Sequence, residues 1–303
     1  MDIVVFGAGS LGSLLGGLLA RAHDVTLVGR DPHVSTVRKD GLRIEGEVEA
    51  DVDPDADTTA PESADLVLVT VKSYDTAAAV EALADGDYGA VCSLQNGLTE
   101  ERLAELDAPV VAGTASYGAR LRESGLVDCT GVGRVVVGGL DRGPDPVAER
   151  VGRAFRAADV RTLVASDMPR RRWEKLAVNA GINATTALCR VENGALVGGD
   201  PPGKGENAPR LAREAAHETA RVARAEGVPL SNRQARAAVE RVASATATNR
   251  SSMLQDVESR SRTEVDALNG AVVDRAERHD VGVPTNRTLT RLLRAWERGA
   301  GVR

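Results

Sequence analysis

The chain has 303 residues, 42% of them hydrophobic and 27% charged, and a formal net charge of −6. Such a chain is an ordinary globular protein, long enough for two cores, and its acidity with no basic stripe excludes a nucleic-acid groove. Three cysteines (Cys92, Cys129, Cys189) without CxxC spacing and four scattered histidines argue against a zinc site or a disulfide frame and fit a reducing cytoplasm.

Residues Ile3 to Ala20 carry no charge and superficially resemble a signal peptide. Asp2 stands where a cationic start is needed, however, and five glycines interrupt the run, so it reads as strand (2–6), Gly-rich turn and helix (10–22). Further strand-like runs follow at 25–28, 66–71, 90–94 and 110–115, separated by helical stretches such as 76–84 and 99–106. Apolar strands alternating with helices predict a parallel sheet. Residues 120–129 and 134–138 read as hairpin strands appended to it, before a helix at 147–158 and a last strand at 161–164.

Beyond Asp167 the apolar spacing becomes helical, over 172–188, 208–226, 232–245, 255–279 and 285–299. Gly/Pro clusters at 198–203, 227–229 and 282–284 separate these segments. The expected organisation is an α/β domain over 1–166 and an all-helical domain over 167–303.

Gly7-Ala8-Gly9-Ser10-Leu11-Gly12 is a G-x-G-x-x-G placed directly after a strand and opening a helix, the context that makes it a Rossmann dinucleotide signature. Gly7 permits the turn, Gly9 lets the backbone approach the pyrophosphate, and Gly12 lets the helix pack on the sheet. Arg30, just past the second strand in Gly29-Arg30-Asp31, suits the 2′-phosphate of NADPH, whereas Asp31 would serve NADH if the turn is shifted. Lys72 ends the 66–71 strand, and Gln95-Asn96-Gly97 follows the next. Both stand at the carboxyl edge where such sheets bind ligands. Lysine occurs only at 39, 72, 175 and 204, so a retained lysine marks a place for a compact ammonium.

Lys175, Asn179 and Asn183 fall at i, i+4 and i+8 of a helical segment whose remaining positions are largely apolar and small, so they share one face. Burying that stripe is costly without partners, and a small polyoxygenated substrate would supply them. Asn249 to Asp256, followed by Arg262-Thr263-Glu264, reads by itself as a capped helix entry.

Together, GAGSLG, VTVK ending at Lys72, LQNG at 94–97, WEKLAVNAGIN at 173–183, Asn193-Gly194 and SSMLQD…RTE at 251–264 resemble the 2-dehydropantoate 2-reductase (ketopantoate reductase) family. The resemblance spans nearly the whole chain. It implies a Rossmann domain joined to a helical domain like that of 6-phosphogluconate dehydrogenase relatives, reducing 2-dehydropantoate to pantoate on the way to pantothenate and coenzyme A. It also implies Lys175 as the catalytic lysine, with Asn96, Asn179, Asn183, Asn193, Asn249 and Ser252 as substrate contacts. Gly7, Ala8, Gly9, Ser10, Leu11, Gly12, Arg30, Lys72, Asn96 and Glu264 become cofactor contacts, with Ala119, in the turn after Tyr117-Gly118, a further match. The cofactor is NADP, with NADH as the alternative, and no metal is called for. A homodimer is an allowed assembly; neither nucleic acid nor membrane is an expected partner.

In this reaction type negative charge develops on the ketone oxygen, where a lysine ammonium both stabilises it and donates a proton. Two features depart from the pattern. Gly198–Pro209 is a Gly/Pro/polar loop with no family motif. Twelve residues of straight helix would also part Ser252 from Glu264 by about 18 Å, so the helix starts after Ser252 or bends, or Glu264 acts on cofactor or Lys175. The competing readings are a reductase of another 2-oxo acid and a nucleotide-binding sensor without turnover.

Overall fold

A computed structural model describes residues 1–197 and 207–303. The chain divides into two compact units, Met1–Gln95 with Thr99–Pro169, and Asn96–Leu98 with Arg170–Arg303. The division thus falls a little beyond residue 166, and Asn96–Leu98 goes with the second unit.

The first unit opens with β1 (Asp2–Phe6), α1 (Ser10–Leu19), β2 (Asp24–Val28) and α2 (His33–Asp40). It continues through β3 (Leu42–Gly46), β4 (Ala50–Val52), β5 (Asp55–Asp57), β6 (Ser63–Ala64), β7 (Leu66–Val69), α3 (Thr76–Leu83), β8 (Asp87–Tyr88), β9 (Val91–Ser93) and α4 (Glu100–Leu103). It closes with β10 (Val110–Ala115), β11 (Gly118–Glu123), β12 (Leu126–Gly131), β13 (Val135–Gly138), α5 (Pro146–Ala157) and β14 (Thr162–Val164).

The main sheet is eight-stranded, in the order β14-β13-β10-β9-β7-β1-β2-β5. From β5 to β10 every pairing is parallel. Taken in chain order, those parallel strands follow the 3-2-1-4-5-6 arrangement of a Rossmann sheet, whose strand order reverses between β1 and β7. Alternation within β7 shows why these strands read as unbroken apolar runs. Leu66 and Leu68 enter one core cluster while Val67 and Val69 enter another, because both faces of a parallel sheet are covered.

The hairpin expected from 120–129 and 134–138 is corrected. β13 joins the main sheet antiparallel to β10, while β11 and β12 form a separate four-stranded sheet in the order β11-β12-β3-β4. β12 finds a parallel partner in β3, which is short and half polar (LRIEG) and so carries little sequence signal.

In the second unit, α6 (Met168–Cys189) is followed by a 3₁₀ turn at Asn193–Leu196, then α7 (Asn207–Ala225), α8 (Asn232–Ala245) and α9 (Ser252–Glu258). A π-helical turn at Asp266–Gly270 leads into α10 (Ala271–Arg278), and α11 (Pro284–Ala300) ends the unit. Its core is rich in alanine, with Ala212, Ala215, Ala216, Ala220, Ala235 and Ala238 all buried, so helix backbones approach closely. Glu218 on α7 accepts N–H groups of Thr285 and Asn286 at 2.9 Å, satisfying first-turn donors of α11 that have no intrahelical partner.

The single helix expected over 255–279 is also corrected. α9 ends at Glu258, and Arg260 adopts φ +53°, so the chain leaves the helical path before Glu264. Within the loop expected at 198–209, residues 207–209 already belong to α7; the remainder lies outside the described residues. Among the described residues, no helix is long and apolar enough to cross a membrane.

Candidate functional site

The glycine turn is built by contacts that a side chain would destroy. Gly7 has φ +118°, and the N–H groups of Gly7 and Ala8 both donate to Val28 O at 2.9 Å, pinning the turn to the end of β2. A Cβ on Gly12 would lie 2.1 Å from Gly7 O and 2.6 Å from Thr70 Oγ1. The Thr70 hydroxyl itself donates to Gly7 O at 2.8 Å. Above Gly9 the situation reverses, with nothing within 4 Å of a Cβ there. Gly9 is the N-cap of α1, so this open space faces the positive end of a helix dipole. It fits a pyrophosphate.

Around this turn the other candidates of the first unit take up distinct positions. Gly29 packs on Ala8, where an added Cβ would come within 2.8 Å of the alanine Cβ, so Arg30 begins beside the turn. Its side chain is 89% exposed, with Nη2 3.5 Å from Asp75 Oδ2. Asp31, by contrast, accepts the Ser35 N–H at 3.2 Å and serves the first turn of α2. Lys72 follows Val71, whose backbone N lies 2.5 Å from the Cβ that Gly7 lacks. The Lys72 carbonyl accepts the Asp75 N–H at 2.8 Å. Gln95 fixes this segment from below, donating through Nε2 to Val71 O at 3.0 Å and to Thr76 Oγ1 at 2.8 Å. The Ser10 hydroxyl accepts the Leu121 N–H at 3.0 Å. Ala119 is placed on β11, two residues before that contact, and not in a turn as expected.

In the second unit α6 carries Lys175, Asn179 and Asn183 on successive turns of one face. Lys175 and Asn179 are half-buried, and Asn183 is 7% exposed. Asn179 Nδ2 donates to Asn96 Oδ1 at 3.4 Å, and Asn96 Nδ2 donates to Glu264 Oε2 at 2.9 Å. Gly97, at φ +90°, lets Asn96 take this place, since a Cβ there would meet Ala267 O at 2.5 Å. Asn183 Nδ2 donates to Ser252 Oγ at 3.4 Å. It is Ser251, not Ser252, that caps α9, accepting the Leu254 N–H at 3.1 Å, so the Ser252 side chain stays exposed.

Asn193 is buried, with Nδ2 donating to Thr246 Oγ1 at 2.9 Å. Its Oδ1 is a buried acceptor without a partner among the described residues. Asn249 contributes its carbonyl to the Asn193 N–H at 3.0 Å, and its side chain is exposed. Glu264 is held by its neighbour: Thr263 donates its N–H at 2.9 Å and its hydroxyl at 2.6 Å to Glu297, a carboxylate with no exposure. Arg303 pairs with that same carboxylate at 2.6 Å.

The structure therefore joins Asn96, Asn179 and Glu264 in one chain of contacts, Asn183 with Ser252, and Asn193 with the 246–249 turn. Sequence reasoning missed Thr70, Asp75, Thr246, Thr263 and Glu297. Thr70 and Thr263 stood inside the quoted motifs; Thr246 and Glu297 carry no local signal, because their partners are distant in sequence.

Two family models, described as "Ketopantoate reductase PanE/ApbA" and its C-terminal counterpart, match residues 3–142 and 167–297. A 2-dehydropantoate 2-reductase of Halobacterium salinarum is 44% identical, the match covering 98% of this chain and 99% of the relative. One of Archaeoglobus fulgidus is 40% identical with 98% of both chains covered. A crystal structure of a PanE/ApbA family ketopantoate reductase from Ralstonia eutropha JMP134 superimposes with a TM-score of 0.88 at 32% identity, covering 99% of this chain and 100% of that one. With both halves matched in order and relatives aligned end to end, the chain belongs to the ketopantoate reductase PanE/ApbA family.

Proposed function

We propose that this protein catalyses the NADPH-dependent reduction of 2-dehydropantoate to pantoate, with nucleotide held by the first unit and substrate by the second. The observation that carries the reading is the polar face of α6, where Asn179 meets Asn96 and Asn183 meets Ser252 beside Lys175. The names of the full-length relatives support the same reaction.

The glycine turn, Gly7 to Gly12, would take the pyrophosphate over Gly9, with Arg30 at the 2′-phosphate and Lys72 as a further cofactor contact at the carboxyl edge. NADPH rather than NADH is supported by the engagement of Asp31 in α2, which leaves Arg30 as the side chain facing outward. Bound reduced nicotinamide supplies the hydride that the ketone carbon accepts. Lys175, as an ammonium, hydrogen-bonds the ketone oxygen and gives it a proton. An arginine could stabilise the same charge but not readily release its proton. Asn96, Asn179, Asn183 and Asn193, with Ser252, hold the hydroxyl and carboxylate of the substrate so that the reacting carbon stays in place. Glu264 fixes the Asn96 carboxamide, because accepting from Nδ2 turns Oδ1 toward Asn179. A cytoplasmic location accords with three free cysteines.

The test is direct. Purified protein mixed with NADPH and 2-dehydropantoate should consume the nicotinamide absorbance and form pantoate in equal amounts. No consumption above the rate without substrate would defeat the proposal.

A further inference from the structure

Arg30 and Asp75 lie beyond the carboxyl ends of two strands of one sheet. Arg30 follows β2 and Asp75 follows β7, and β1 with its glycine turn lies between those strands. The guanidinium and carboxylate meet at 3.5 Å across that carboxyl edge, with side chains 89% and 35% exposed. Asp75 ends a 3₁₀ turn (Ser73–Asp75) that runs directly into α3. Here it makes no capping hydrogen bond. Its carboxylate is directed instead at the cation assigned to the nucleotide's 2′-substituent.

From this arrangement we infer that Asp75 is a cofactor-selectivity residue that holds NADPH preference below the level Arg30 alone would set. The inference rests on the proposed role of Arg30. A 2′-phosphate on Arg30 must displace the Asp75 carboxylate or lie beside it, like charge against like charge. A 2′-hydroxyl carries no such penalty and can donate to the carboxylate. The same pair of side chains therefore taxes the phosphorylated ribose and accommodates the plain one. Because both side chains reach solvent, the effect is screened by salt: the Debye length falls from about 10 Å at 0.1 M to about 3 Å at 1 M.

The experiment uses equilibrium binding, independent of turnover. Adenosine 2′,5′-bisphosphate and adenosine 5′-monophosphate, then NADPH and NADH, are titrated calorimetrically into wild type, Asp75→Asn, Arg30→Ala and the double variant at low and high salt. Asp75→Asn should tighten the 2′-phosphorylated ligands roughly three- to tenfold, leave the others unchanged or weaker, and lose much of its effect at high salt. In the Arg30→Ala background the same substitution should do markedly less, since the two side chains are coupled. Equal tightening of both ligand classes, no change in either, or an undiminished effect without Arg30 overturns the inference while leaving Arg30's own role standing. If Arg30→Ala fails to weaken the 2′-phosphorylated ligands, the reading of Arg30 falls and the inference falls with it.

Discussion

Asn179 on α6 donates to the Oδ1 of Asn96 at 3.4 Å, so within the second unit a helix positions the residue that follows Gln95. Gly97 makes this possible. Its φ of +90° and the 2.5 Å approach of Ala267 O to an added Cβ leave no room for a side chain. Gly97→Ala should therefore shift Asn96, lowering kcat/KM for the substrate at least tenfold while costing roughly 1–3 kcal/mol of stability. Thermal melts and steady-state kinetics on the same preparation check both. Unchanged kcat/KM would show that the position of Asn96 is immaterial.

Lys175 carries the proton in the proposed reaction, so its removal should damage turnover rather than nucleotide binding. Lys175→Ala is expected to lower kcat by roughly 10²–10⁴ with NADPH affinity nearly intact. Normal turnover with only a raised KM would reduce Lys175 to a carboxylate contact.

Arg30→Ala should weaken NADPH by about 1.5–3 kcal/mol, the worth of a charge-assisted hydrogen bond, and leave NADH nearly unchanged. Fluorescence titration with both nucleotides decides this; equal weakening of the two would remove Arg30 from the 2′-phosphate.

How much of this was legible in the sequence depends on the range of the interactions. The glycine turn, the α6 stripe and α8 over 232–245 are local patterns, and each is written in adjacent turns or strands. The break after Glu258 was not legible as such, since a seven-residue helix and its π-helical successor keep a helical apolar spacing. Only the distance conflict between Ser252 and Glu264 betrayed it. The small sheet was hidden for another reason: β3 and β12 are stabilised by each other across some eighty residues, and tertiary pairing of that kind leaves no periodic mark in a half-polar strand. Thr263 and Glu297 are likewise a pair made by the fold alone.

His33 supplies a pH dependence. It is buried between α1 and the β11–β12 turn, with Nε2 2.9 Å from Ser13 Oγ and Nδ1 accepting the Gly125 N–H at 3.1 Å. An Nδ1 that accepts is unprotonated, so the neutral ring donates from Nε2 to Ser13. Burial holds the imidazole pKa below its ordinary 6.5. The unfolded chain then binds the proton more readily than the folded one, and stability falls as pH drops below about 6.5 toward the folded value. Wild-type melting temperature should decline between pH 7.5 and 5.5, and the non-titrating His33→Gln, lower throughout, should decline less. Parallel curves for the two proteins would exclude His33 as the source.

In the proposed reaction, substrate choice would follow from how the carboxamides are satisfied. Lys175 suffices for a ketone oxygen, and the exposed Ser252 hydroxyl is available to a carboxylate. Asn179 and Asn183 make contacts at 3.4 Å, long for an N–H···O bond whose usual range ends near 3.2 Å. The Oδ1 of Asn193 is buried without a partner among the described residues. A plain 2-oxo acid would leave these groups as they are, whereas the terminal hydroxyl of 2-dehydropantoate can donate to one and accept from another. A site built to bind a hydroxyl discriminates strongly against the analogue lacking it, because its own polar groups stay unpaired. 2-Oxo-3-methylbutanoate, which lacks the hydroxymethyl group, should therefore show kcat/KM lower by about 10² or more. Asn183→Ala should narrow that gap mainly by impairing the hydroxylated substrate. Steady-state kinetics with the two acids on wild type and variant measure the gap. Comparable efficiency in wild type would make the protein a general 2-oxo acid reductase, with the asparagine face serving the fold instead of the substrate.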